Sequence, residues 1–376
     1  MIKTRCISLL LLSVLIAMLL TPSIPTRSQK PQWEVSAEGV RVTVGNIEIY
    51  IGATTGISDI FISGVEVISG LGIWVFAPGW EYIGATPWEG EVLEPPTVDE
   101  LPDGILVKTH ARFSPDTNTY LEFRGVYKIY NTGMIIANTT VTAYDDTEVQ
   151  AVYFIIYFPI DTLKGQTIYM VYGGTSGITF PEEFSGWSIA SGTYSAAYIS
   201  LPQGDIVFVA LEPTALGYEL TDGRDWGGNV YEIITTLRSA GMIAKGTTMK
   251  VSLMLYPHTR GPEFTKLIVE TFGSLGAAKS TVETLKKSKP RTPGGAKLLA
   301  ECEKEVKLAY DAYSKGDIES TRAHALKALE LAQKIKVVER RQRILFFMVI
   351  PGIIGIVIMF LLAWSASQKV RKEVAS

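Results

Sequence analysis

The stretch GYELTDGRDWGGNVYE, residues 217–232, gathers Asp222, Arg224, Asp225 and Trp226 between glycines, with Asn229 close behind. An indole beside carboxylates is the equipment of sugar recognition. The apolar face of a pyranose stacks on the ring, and its hydroxyls bond to the acids. The same pairing recurs elsewhere. Trp80 and Trp88 stand in PGWEYIGATPWEGEVLEPP, where Glu89 follows Trp88 directly, and Trp187 follows Glu182 and Glu183 in FPEEFSGW. The candidate ligand-binding residues are therefore Trp226, Asp222, Arg224, Asp225, Trp88, Glu89, Trp80 and Trp187. Each cluster also reads as a polar turn, since Gly, Asp and Asn favour turns. The two readings separate on one point: whether the four tryptophans converge on a concave face or point into the core.

Other chemistry is sparse. The chain has 3 histidines, and none of them, His110, His258 or His324, stands at the short spacing of a metal or catalytic pair. No G-x-S-x-G, H-E-x-x-H or phosphate-binding glycine loop occurs. Asp222, Asp225 and Asn229 lack the spacing of an EF-hand loop, and Arg224 between the acids is set to neutralise them instead. No catalytic residue, metal site or cofactor is assigned. Loop carboxylates keep a glycosidase-like reading open, since that chemistry needs only two acids, one of them held protonated.

These residues must be positioned by strands. From Trp33 to Pro257 apolar residues alternate in short runs such as VRVTVGNIEIYIG, VQAVYFIIYFP and TTMKVSLMLYP, punctuated by Gly, Pro, Asn and Asp. Period-two alternation without intervening helices predicts antiparallel sheets packed as a sandwich or barrel. With no internal repeat, one large sandwich over residues 31–260 is favoured over two small ones.

The segments GNIEIYIGATTGISDIFISGVEVISG and FRGVYKIYNTGMIIANTTVTAYDD resemble the galactose-mutarotase-like supersandwich. The first resembles its opening edge strand and Gly turn. The second resembles its central hairpin, with Tyr127, Ile129, Asn131 and Gly133 at the hairpin positions. The resemblance implies a fold and a carbohydrate context. Mutarotases of that family use a paired His and Glu. Neither His110 nor His258 sits in a matching motif, so no active site is carried over.

Residues 261–343 predict helices. Leu299, Cys302, Val306, Ala309 and Tyr313 form one apolar stripe. Gly316 ends that helix and Asp317 caps the next. The reading is a helical stalk holding an αα-hairpin over 296–343.

Two apolar runs flank this body. Lys3 and Arg5 precede the run Ile7–Leu20, the pattern of a secretory signal peptide over residues 1–30. Near the other end, 21 residues from Ile344 to Trp364 carry no charge, enough for a transmembrane helix over 344–366 with a cytoplasmic tail over 367–376. A mean hydropathy of +0.20 agrees with membrane segments.

The net charge of −3 conceals a partition: residues 31–278 hold 12 Lys+Arg against 28 Asp+Glu, whereas 279–343 hold 16 against 9. An acidic body lacks the clustered cations of a nucleic-acid surface. The basic stretch suits anionic headgroups or a solvated helix face equally. The two cysteines, Cys6 and Cys302, both lie outside the body, so it has no disulfide. Asn138 in NTT is a possible glycosylation acceptor.

The sequence thus describes a mainly β protein: a large antiparallel β-sandwich ectodomain, a helical hairpin stalk and one C-terminal transmembrane helix. The expected role is a cell-surface protein, tethered to the membrane, that binds glycan or an envelope partner without catalysis. A membrane-anchored carbohydrate-active hydrolase, lyase or epimerase is the first alternative. A structural envelope subunit is the second.

Overall fold

The computed structural model describes residues 30–113, 117–290, 292–313, 315–344 and 353–364. In chain order the strands are β1 (Gln32–Val35), β2 (Gly39–Val44), β3 (Ile47–Gly52), β4 (Ile57–Ile62), β5 (Val65–Ile68), β6 (Gly70–Ala77), β7 (Glu81–Ala85), β8 (Glu91–Leu101), β9 (Gly104–Arg112) and β10 (Leu121–Tyr130). They continue as β11 (Ile135–Ala143), β12 (Thr147–Pro159), β13 (Thr167–Val171), β14 (Thr175–Thr179), β15 (Ser188–Tyr194), β16 (Ala196–Leu201), β17 (Gly204–Glu212), β18 (Leu216–Asp222), β19 (Val230–Ile243) and β20 (Thr248–His258). A single turn, α1 (Ile160–Leu163), follows β12. Three long helices close the described fold: α2 (Pro262–Ser288), α3 (Pro293–Tyr313) and α4 (Ile318–Ile344).

The strands form two antiparallel sheets. The first, of 11 strands, runs β1-β2-β3-β4-β6-β12-β19-β18-β15, with β5 on β4 and β7 on β6. The second, of 9, runs β14-β13-β16-β17-β20-β11-β10-β9-β8. Their inner faces supply one continuous core, in which Ile49, Ile73, Phe154 and Ile233 of the first sheet belong with Val107, Phe123, Phe208 and Leu253 of the second. The alternation produces this directly: in β11, Ile135, Ala137, Thr139, Val141 and Ala143 are buried and the residues between them are half-exposed.

Three strands break the alternation, and each break marks a covered outer face. In β12 the run VYFIIYFP is apolar throughout. Phe154, Ile156 and Phe158 enter the core, while Ile155 and Tyr157 form a separate cluster with Ile234 on the opposite face. In β17 and β20 the outward residues Val207, Val209, Met254 and Tyr256 are also buried, here against Phe264, Ile268 and Phe272 of α2.

The helical segment read as a stalk is therefore, at its beginning, a third layer of the domain. The apolar outward residues of β17 and β20 need cover, and α2 lies on them. The helices then pack on one another. Phe272 meets Tyr313 edge-on at 5.3 Å, and Arg322 of α4 pairs with Glu270 of α2 at 2.8 Å. Gly316, at φ 73°, turns the chain between α3 and α4, and Asp317 Oδ1 accepts from the Ser320 N–H at 2.9 Å. Cys302 is buried in the hairpin, its thiol donating to the Ala328 carbonyl at 3.0 Å.

A buried polar knot ties α2 to the second sheet. The Thr265 hydroxyl donates to Asp205, and His258 Nε2 lies 3.2 Å from the same oxygen. His258 Nδ1 accepts from the Arg260 N–H at 3.3 Å. Burial pushes the His258 imidazole down to about 4, against a weaker upward pull from Asp205. Removing the acid strands the buried Thr265 hydroxyl, so Asp205→Ala is expected to cost about 1–2 kcal/mol in denaturant unfolding. A change within the error of the wild type would show that the knot holds nothing.

Residues 1–29, where the signal peptide is expected, lie outside the described residues, as does the 367–376 tail. Of the expected transmembrane helix, residues 353–364 are described. They are helical, with Ile353, Met359, Phe360 and Trp364 exposed. No helix among the described residues is long and apolar enough to cross a membrane. That expectation is not met by any helix of the described structure.

Candidate ligand-binding cleft

The outer face of the first sheet carries a cleft of about 1420 Å³. Its floor is set by strand register. Tyr153 of β12 pairs with Trp74 of β6, Ile155 and Tyr157 pair with Ile234 and Glu232 of β19, and Glu219 of β18 pairs with Ile234. Side chains two residues apart point the same way, so Trp74, Tyr153, Tyr157, Val230 and Ile234 rise together from the floor.

The walls come from loops. Trp80 and Trp88 flank β7, Trp187 precedes β15, and Trp226 ends the 3-10 turn Gly223–Trp226 after β18. All four line the cleft. Trp80, Trp88 and Trp226 are 58%, 50% and 52% exposed, so their rings present free faces rather than core contacts. Trp80 sits at φ 65°, a left-handed conformation that costs a non-glycine residue of order 1 kcal/mol or more. Gly70 lets the Trp88 ring lie against β6, because a Cβ there would come within 2.4 Å of it.

The rings hold one another edge to face. Trp226 meets Trp74 at 6.2 Å, Trp74 meets Tyr157 at 5.7 Å, and Tyr157 meets Trp88 at 5.2 Å. Phe76 joins Trp80 to the same network at 5.8 Å. This geometry leaves ring faces turned outward and keeps them apart from one another.

The predicted acids divide into lining and supporting groups. Asp225 lines the cleft. Asp222 does not: it is wholly buried, and Arg224 grips it with Nε to Oδ1 at 2.9 Å and Nη2 to Oδ2 at 2.6 Å. Arg224 also donates to the carbonyls of Glu182 at 2.9 Å and Pro181 at 3.2 Å. The pair thereby fastens the Trp226 turn to the segment leading to Trp187. Glu89 is likewise occupied, accepting from the Tyr82 hydroxyl at 2.5 Å and the Ala85 N–H at 2.7 Å. It closes the turn that carries Trp88. Asn229 lines the cleft but its amide donates to Asp161 at 3.2 Å. Asp222 and Asn229 are thus engaged with different partners, not with a shared ion.

Because Asp222 is buried, losing Arg224 leaves a charge without its partner. The guanidinium is about a quarter exposed, which lets water offset part of the loss. Arg224→Ala is expected to lower stability by about 2 kcal/mol and to weaken any ligand that contacts both Trp187 and Trp226. Thermal melts beside binding titrations check this. An unaltered melting temperature would deny Arg224 its fastening role.

Sequence reasoning missed the floor and one acid. Glu232 lies on the cleft side of β19, between Val230 and Ile234, and is wholly buried. Burial pushes its carboxyl up to about 7, while the Thr221 hydroxyl, 3.0 Å from Oε2, and the Trp226 indole pull the other way. Its Oε1 has no hydrogen-bond partner. Burial also raises the Tyr157 phenol well above its ordinary range, and the facing Glu232 adds to the rise. The signal was present in β12 and β6, where Tyr153 and Tyr157, and Trp74 and Phe76, repeat on the face away from the core.

Other candidates fall elsewhere. His110, in β9 of the second sheet, lies 3.0 Å from Glu94 and 2.7 Å from Glu122. His258 is in the knot beneath α2, and no histidine lines the cleft among the described residues. Asn138 sits mid-strand in β11, half-buried, with Oδ1 accepting from Ser252 at 2.7 Å and Nδ2 donating to the Val126 carbonyl at 3.5 Å. Its amide is held in the sheet rather than offered on a loop.

No family model matches the chain, and no curated protein does. Among solved structures it is similar to galactose 1-epimerase from Lactobacillus acidophilus NCFM, at 8% identity and a TM-score of 0.37, covering 61% of this chain and 99% of that one. It is also similar to 4-alpha-glucanotransferase from Thermococcus litoralis, at 9% identity and a TM-score of 0.37, covering 60% of this chain and 40% of the other. A third is a quadruple mutant of alpha-N-acetylgalactosaminidase from Bifidobacterium bifidum, at 11% identity and a TM-score of 0.36, covering 72% and 42%. The chain spans less than half of the latter two. The resemblance to galactose-mutarotase-like proteins is one of fold, at low identity.

Proposed function

We propose that the protein binds carbohydrate in the aromatic cleft and does so without catalysis. One observation carries this reading: Trp80, Trp88 and Trp226, from three separate loops, converge on one concave face with their rings exposed, beside the half-buried Trp187 and above a floor of further aromatics. Stacking of pyranose faces on such rings uses apolar area, and the half-free acids Asp225 and Glu219 accept from hydroxyls. At about 1420 Å³ the cleft exceeds the ~300–1,000 Å³ of ordinary small-molecule pockets, which favours an oligosaccharide over a single sugar. Quenching or blue-shift of tryptophan fluorescence by neutral oligosaccharides tests it. No response from any glycan, with the protein folded, defeats it.

The proposed setting is the cell surface. The 21-residue uncharged run from Ile344 to Trp364 would anchor the chain, and the apolar leader would export the body, with the short tail in the cytoplasm. Envelope proteins are then natural neighbours. Alkaline extraction of membranes and protease accessibility on intact cells check anchorage and sidedness; release by alkali would overturn it.

A second reading rests on Glu232. A buried carboxyl that keeps its proton near neutrality is what acid catalysis on a glycoside or sugar ring needs. Turnover of an oligosaccharide, lost in Glu232→Gln while binding persists, would favour the enzyme.

A further inference from the structure

The charge of the cleft points to a narrower ligand class, and this step rests on the carbohydrate reading above. Among the described residues the lining contains the carboxylates of Glu219 and Asp225 and no Lys, Arg or His. Neither acid is in an ion pair among the described residues: the nearest guanidinium in sequence, Arg224, faces away onto Asp222 and the 181–182 carbonyls. The cleft wall therefore carries negative charge with no internal counter-charge. A third acid, Glu232, lies opposite the cleft-lining Tyr157 in strand register, wholly buried and with Oε1 unpartnered.

The aromatic faces add to this field. Indole and phenol rings carry a negative quadrupole on their faces, which attracts cations and repels anions. Trp74, Trp226, Trp88 and Tyr157 line the cleft and are fixed edge to face, and Trp226 and Trp88 are half exposed there. The lining as a whole thus disfavours uronates, sulfates and phosphates and favours a group bearing positive charge.

We infer that the cleft selects an amino sugar with a free ammonium group, seated between the Trp226 and Trp74 rings and the carboxylates of Glu219 and Asp225. The sugar ring stacks as any pyranose would. Its ammonium donates to the acids and lies as a cation over a ring face; an N-acetyl group offers one uncharged N–H, and a carboxylate offers no donor.

Three tetrasaccharides of matched length separate the possibilities in titrations with the full-length chain: glucosamine, N-acetylglucosamine and galacturonic acid oligomers. The titrations are run at about pH 5.5, where the amino groups of the glucosamine oligomer hold their protons. The glucosamine oligomer is expected to bind roughly 10-fold tighter than the N-acetylated one, with galacturonate weakest. That preference should shrink as salt is raised, and in the double variant Glu219→Gln, Asp225→Asn it should fall to about 3-fold or less. Equal binding of the cationic and neutral oligomers overturns this inference and leaves the carbohydrate reading standing. Binding of none of the three, by protein whose melt shows it folded, overturns both.

Discussion

Glu232→Gln raises the stability of the protein at about pH 8 by roughly 3 kcal/mol and leaves it nearly unchanged at about pH 4. The carboxyl is wholly buried on the cleft side of β19 and its folded value is pushed up to about 7. An unfolded chain returns it to the ordinary glutamate range near 4.5. Below that value both states hold the proton and the group contributes nothing to pH dependence. Between about 4.5 and 7 the folded state holds the proton and the unfolded state does not, so stability falls as pH rises. Above 7 the full cost of a buried, poorly solvated carboxylate is present, about 1.4 kcal/mol for each pH unit of displacement. Glutamine has the same shape and keeps an acceptor for Thr221 but carries no charge. His258 acts in the opposite sense. Its folded value near 4 lies below that of the free side chain, so stability is lost as pH falls from about 6.5 to 4. Urea unfolding of wild type and variant across this range measures both slopes. Equal stability of the two at pH 8 would mean that water or a counter-charge reaches Glu232.

Trp226→Ala is expected to weaken oligosaccharide binding on the order of 50-fold while the protein stays folded. A sugar covering ~100 Å² of the indole draws about 2.5 kcal/mol from that contact, and 1.4 kcal/mol corresponds to a factor of ten. Trp226 is half exposed, so its loss costs the fold little beyond the edge contact with Trp74, about 1 kcal/mol. Trp33→Ala is the control. That residue is exposed on the edge strand β1, away from the cleft, and its removal should leave affinity unchanged. The same substitution probes the acid below. Trp226 helps cover Glu232, so opening that cover lets water in and should remove most of the gain from Glu232→Gln at pH 8. A double variant that keeps the full gain would separate the two residues. Full affinity in Trp226→Ala would place the ligand elsewhere.

Much of the sandwich was legible before any coordinates. Alternation in IIANTTVTA and its neighbours places one row in the core, because strand side chains point to opposite faces in turn. The cap at Asp317 and the turn at Gly316 were equally plain, since both act through local backbone chemistry. The helical layer was not. Residues 262–288 carry an apolar stripe whichever surface it meets, and only the outward Val207, Val209, Met254 and Tyr256 show that the surface is a sheet of the same domain.

The cleft divides in the same way. Residue type alone singled out Trp80, Trp88, Trp187 and Trp226, since exposed-loop tryptophans beside acids are a local pattern. Composition alone also established an acidic body without cysteine. Which acids face the cleft was decided by tertiary structure. Asp222, Arg224 and Glu89 look the same in sequence as Asp225, yet the first two pair with each other and the third closes a turn. Glu232 looks like an ordinary strand residue beside a turn. Its burial, its raised carboxyl and its place under Trp226 arise only when β12, β18 and β19 align, because desolvation depends on neighbours brought from distant parts of the chain.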